Sequence, residues 1–101
     1  MSEPTLDELS ANVLQNAGWI MTGGSAQFRD AALSEMQSSL RLIGLRAVNE
    51  RVLSATRLLS EKTTQFVKTK ATDTESAMTL RRLIEEFEQA MKAYLKTGRK
   101  R

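Results

Sequence analysis

Residues 25–70 read SAQFRDAALSEMQSSLRLIGLRAVNERVLSATRLLSEKTTQFVKTK. The stretch holds no proline, and its apolar residues recur at helical rather than strand spacing. Leu33, Met36, Leu40, Ile43 and Ala47 advance by threes and fours, which keeps them on one side of a helix. A second series, Leu45, Val48, Val52, Ala55 and Leu59, continues to Phe66 by the same rule but out of phase with the first. Read as one helix, the stretch would extend roughly 70 Å at 1.5 Å per residue, far beyond a compact domain of this size. Such a helix requires a partner along its length. The phase shift coincides with Gly44, which weakens a helix interior by about 1 kcal/mol relative to alanine, so a bend is expected there. Drift of a 3.6-residue helix against a heptad pattern accounts for the shift equally well.

The flanking segments fit around this helix. Thr5-Leu6-Asp7-Glu8 has the capping-box pattern, with the acids placed at the positive end of the helix dipole. Leu6, Leu9, Val13 and Leu14 then predict a short amphipathic helix over about 5–17, after a disordered lead at 1–4. The apolar, glycine-bounded run Gly18-Trp19-Ile20-Met21-Thr22-Gly23-Gly24 reads as a turn whose Trp19 and Ile20 pack back on the long helix. Ser25 is its expected N-cap, for a helix over 25–69. Residues 69–73 read as a hairpin loop, with Thr72-Asp73-Thr74-Glu75 as a second capping box. The last helix, 73–97, carries the cleanest stripe: Ala77, Leu80, Ile84, Phe87, Met91 and Tyr94, widened by Leu83, Ala90 and Leu95. Its solvated side offers Arg81–Glu85, Arg82–Glu86 and Glu88–Lys92 as pairs four residues apart. Gly98 ends it, and residues 98–101 form a basic tail. The expected fold is all-α: a short N-terminal helix, a long central helix and a C-terminal helix folded back as an antiparallel hairpin, completed by oligomerisation.

Composition bears on chemistry. The 101 residues suffice for one domain with a modest core, and they include no cysteine and no histidine. The commonest general base and the commonest metal ligand are therefore missing. Glu85, Glu86 and Glu88 are the densest carboxylate group, but a di-metal bundle pairs such glutamates with Glu-x-x-His. Gly23-Gly24-Ser25 before a helix offers free N–H groups, yet lacks the rest of a phosphate-binding loop. No serine or threonine has a base in a recognisable triad. The expectation is a protein that is not an enzyme and uses no cofactor or metal. No run approaches the roughly 20 apolar residues of a membrane span, and no signal peptide is read, so a cytoplasmic location is expected.

The net charge of +3 is unevenly placed. Residues 1–23 carry Glu3, Asp7 and Glu8 with no basic side chain, whereas the last ten carry Lys92, Lys96, Arg99, Lys100 and Arg101 with no acid. These five are candidate anion or nucleic-acid contacts, acting through phosphate neutralisation without stacking aromatics. The stretch from Ala47-Val48-Asn49-Glu50-Arg51 through Leu58-Leu59-Ser60-Glu61-Lys62 resembles, in helical texture, the phasins that coat polyester storage granules. That resemblance implies a surface coat on a granule or membrane. Trp19 is followed by Ile20-Met21, without the Trp-x-Gly turn of WXG-type hairpins.

The leading expectation is a non-enzymatic helical protein–protein interaction module: an assembly subunit, adaptor or small chaperone. Its partner would be another protein or a second copy. The partner-binding residues expected on the uncovered stripe are Trp19, Ile20, Phe28, Met36, Leu40 and Ile43. The alternatives are a nucleic-acid-binding accessory protein using the basic tail, and a phasin-like coat.

Overall fold

The computed structural model describes residues 4–69 and 73–98, and every regular element among them is helical. There are four helices, α1 (Leu6–Thr22), α2 (Ala26–Arg46), α3 (Glu50–Lys68) and α4 (Thr74–Gly98). The expected central helix is thus two helices, and the chain reverses between them. The break falls at Ala47-Val48-Asn49 rather than at Gly44, which stays inside α2. Ala47 closes α2 in an extended conformation, its N–H still donating to the Ile43 carbonyl. The Asn49 side chain then accepts from the Val52 N–H at 3.1 Å and starts α3, with Glu50 in the first turn. Asparagine is among the strongest N-caps because its carbonyl satisfies a backbone donor that the helix leaves orphaned. Asn49→Ala should therefore lower stability by about 1 kcal/mol, read as a shift in the urea midpoint at unchanged slope.

The two out-of-phase series now have a physical meaning. Leu33, Met36, Leu40, Ile43 and Ala47 are all buried and form the core side of α2. Val52, Ala55, Leu59 and Phe66 are the core side of α3. Two registers were needed because two helices, running in opposite directions, each present a stripe to one interior.

α1 runs on to Thr22, so the expected turn at 18–24 shrinks to Gly23-Gly24-Ser25. Ala17 and Ile20 extend the stripe begun by Leu9 and Val13, and all four are buried. That burial outweighs the roughly 1 kcal/mol that Gly18 costs inside a helix. The capping box at Thr5 forms in both directions, and Ser25 caps α2 by accepting from the Phe28 N–H. At α4 the cap is Asp73, whose carboxylate accepts from the Ser76 N–H at 2.8 Å. The expected capping residue Thr72 lies outside the described residues, as do residues 1–3 of the lead and 99–101 of the tail.

Each helix packs on its neighbours in the chain, and α4 also contacts α1. Cross-helix contacts fix successive directions as antiparallel. Asn12 on α1 accepts from Ser39 on α2 at 2.7 Å, while Arg46 at the other end of α2 donates to the Pro4 carbonyl. Gln37 on α2 donates to Thr64 on α3 at 2.7 Å, and the Arg29 guanidinium lies 5.3 Å above the Phe66 ring. Arg51 near the start of α3 meets Glu86 on α4 at 2.9 Å. The α1–α2 turn, the end of α3 and the start of α4 therefore share one end of the bundle. The α2–α3 turn, the start of α1 and the end of α4 share the other. One continuous core joins all four helices, with Phe87, Ile20, Met36, Ile43 and Leu59 among its fully enclosed side chains.

Candidate interaction surface

Of the six expected contact residues, four are enclosed by the chain itself. Ile20, Met36 and Ile43 have no exposed surface and Leu40 almost none. The stripe that called for an external partner is covered internally, because the break folds α3 against α2 while α1 lies along the other flank. Only Trp19 and Phe28 remain open, 43% and 44% exposed. They touch across the α1–α2 turn as a tilted aromatic pair, with centroids 5.7 Å apart and planes at 55°. Such tilted pairs satisfy the ring quadrupoles and hold one another in place.

The least covered large apolar residues lie at the opposite end. Val48 is 85% exposed and Leu45 72%, with Leu42 partly open one turn earlier on α2. Val48 sits in the turn while its neighbour Ala47 is wholly buried, so the backbone there is anchored from within and offers Val48 outward. Neither residue is among the expected contacts, because in sequence both belong to the second apolar series. The signal that would have found them is Asn49-Glu50, a helix-start pattern inside that stripe. Leu45 and Val48 precede it and so fall outside the face that α3 buries.

The polar residues are placed as follows. Glu88 and Lys92 form the expected i,i+4 pair at 3.5 Å. Arg81 and Arg82 make no ion pair with Glu85 and Glu86. Glu86 is taken instead by Arg51 across the α3–α4 interface, with bonds of 2.9 and 3.4 Å to its two carboxylate oxygens. Lys96 is exposed near the end of α4, and the candidates Arg99, Lys100 and Arg101 lie outside the described residues. No group of three or more acidic, cysteine or histidine side chains among the described residues could hold a metal ion. No helix among them is long and apolar enough to cross a membrane.

Two carboxyl groups titrate below their ordinary values of 3.8 and 4.5. The Ser76 backbone N–H, then its side chain, hold Asp73 ionised, and the Arg51 hydrogen bond does so for Glu86. A carboxyl group depressed in the folded state stabilises the fold above its unfolded value, and that contribution is lost as pH falls through the folded one. The urea midpoint should therefore fall as pH drops below about 5, and fall less in an Asp73→Asn/Glu86→Gln double variant. Both groups are solvent-facing, so the difference between the two proteins should be modest and shrink further in salt.

No protein-family model, no curated protein and no solved structure matches this chain.

Proposed function

We propose that the protein is a non-enzymatic interaction module, a compact four-helix scaffold that presents a small apolar contact at its α2–α3 turn. The observation that carries this reading is the exposure of Leu45, at the end of α2, and of Val48, in the turn whose backbone is anchored by buried Ala47. An exposed aliphatic residue in a loop contributes nothing to the fold, whereas burying it against a partner contributes about 1.5–3 kcal/mol. Two such residues three positions apart, at the end of one helix and in the turn that follows, make a small anchor of the kind that carries binding energy at interfaces. Sites built from helix ends need little ordering on binding, which favours affinity. The partner is a protein surface, with a second copy of the chain as the simplest case.

The test is the Leu45→Glu/Val48→Glu double variant. Its circular dichroism and thermal midpoint should match the parent, because neither side chain is packed. Sedimentation velocity across a range of concentrations reads self-association. Affinity purification at native level, with nuclease and moderate salt, reads a different partner. The double variant should lose the self-association or the protein companion that the parent shows, by tenfold or more in affinity. Association that persists in the variant would overturn the reading. Companions that leave with the nucleic acid would favour the basic end of α4 instead, since phosphate contacts are steeply salt-sensitive.

A further inference from the structure

We propose that the groove between α2 and α3 binds a small phosphate ester, held between Arg41 and Arg57. The groove is open to solvent along its length and offers about 440 Å³ between the two helices. Arg41 enters it from α2 and Arg57 from α3, and no carboxylate lines it. Neither arginine makes an ion pair or hydrogen bond with a described residue. Arg46 and Arg51, by contrast, are occupied, at the Pro4 carbonyl and at Glu86. Two guanidinium groups sharing one groove repel each other, and an anion between them reverses the sign of that interaction. Their planar forks suit the oxygens of a phosphate better than a lysine pair would.

Gly44 is the second, independent observation. It sits inside α2, where glycine costs about 1 kcal/mol relative to alanine. Its backbone is helical, so no positive φ requires it. Packing does not require it either, because an added Cβ would meet only Leu53 Cδ2, at an ordinary 3.8 Å. With no side chain of its own, Gly44 lines the same groove as the two arginines. Ser60, on α3, is likewise small and lines the same groove. Gln37, which also lines the groove, is held by its hydrogen bond to Thr64.

The floor identifies the class of ligand. Leu40 and Leu53 are apolar, so the groove offers contact to an organic group as well as charge to a phosphate. No aromatic residue lines it for a base to stack on, and two cations are few for a strand of nucleic acid. A small ester fits both features.

The experiment is an NMR titration of the full chain that follows the arginine Nε–H and the Gly44 and Ser60 amide signals. Inorganic phosphate and phenyl phosphate are added in turn, against sodium chloride at matched ionic strength. The expected result is a saturable shift confined to the groove, tighter for phenyl phosphate. Affinity should fall about tenfold in Arg41→Gln and in Arg57→Gln, and binding should vanish in the double variant. Gly44→Leu, which keeps both charges and fills the opening, should also abolish it. If that variant does not fold, the arginine variants still decide the matter, since both side chains are exposed. Linear shifts reproduced by chloride would overturn the proposal, as would saturable shifts that survive in the double variant. Equal affinity for the two phosphates would overturn the ester assignment. A single-stranded decanucleotide that moves Lys92 and Lys96 but not the groove would place phosphate recognition at the end of α4.

Discussion

Ile43→Ala should destabilise the isolated chain by about 2–5 kcal/mol, as measured by urea denaturation at a concentration where the protein is monomeric. Ile43 has no exposed surface and lies in the single core that all four helices share. Truncation removes the transfer energy of three carbon atoms and leaves a cavity that close-packed neighbours fill only in part. Met36→Ala, also fully enclosed, should fall in the same range. For a domain of this size each kcal/mol moves the thermal midpoint by about 4–8 °C, so either change should be evident without extrapolation. The outcome separates two roles for one residue. A contact residue on an uncovered helix would lose partner affinity on truncation and leave monomer stability nearly untouched. Ile43 and Met36 should do the reverse. A thermal midpoint unchanged by Ile43→Ala would mean that the α2 stripe faces outward after all.

Much of this arrangement is legible in the residues themselves. The stripe of α4 keeps one register from Ala77 to Leu95, and the bundle buries or half-buries it as read. The caps at Thr5 and Ser25 are local chemistry, decided within four residues, and both form. The reversal at Ala47-Val48-Asn49 is different. None of those residues forbids a helix as proline does, so local propensity runs straight through. What stops the helix is a tertiary gain. Folding α3 back on α2 lets one chain bury both stripes, which a straight helix leaves exposed. The same limit hides the interior's polar residues. Asn16, Ser39, Thr56 and Thr63 are buried, yet their spelling is that of a surface. Asn16 is tolerated because its amide donates to the Asn12 carbonyl and side chain one turn earlier, a geometry that appears only once α1 is formed. Glu86 likewise found its partner 35 positions away, on Arg51, rather than one turn away on Arg82. Sequence spacing shows who can meet within a helix, and packing decides who meets across two.

Gly24→Ala should cost about 1–3 kcal/mol from the backbone alone, and the Gly23→Ala/Gly24→Ala double variant about twice that. Both residues hold positive φ, 98° at Gly23 and 113° at Gly24, a region that side chains rarely enter. The turn needs this because it reverses the chain between α1 and α2 in three residues, with Thr22 still helical and Ser25 already capping. Gly24 carries a steric term as well. A Cβ there would stand 3.2 Å from the Phe28 ring, closer than ordinary contact, so the ring has to shift. Phe28 leans on Trp19, and the shift should therefore change Trp19 fluorescence in the folded protein, a signal that a purely backbone effect would leave alone. Gly18, inside α1, provides the control. A Cβ added there meets nothing within 4 Å and its φ is helical, so Gly18→Ala should stabilise by about 1 kcal/mol. Three glycines within seven residues thus respond with opposite signs, according to whether the backbone at each one is helical. Equal and small effects at all three would show that the α1–α2 turn takes a conformation open to any residue.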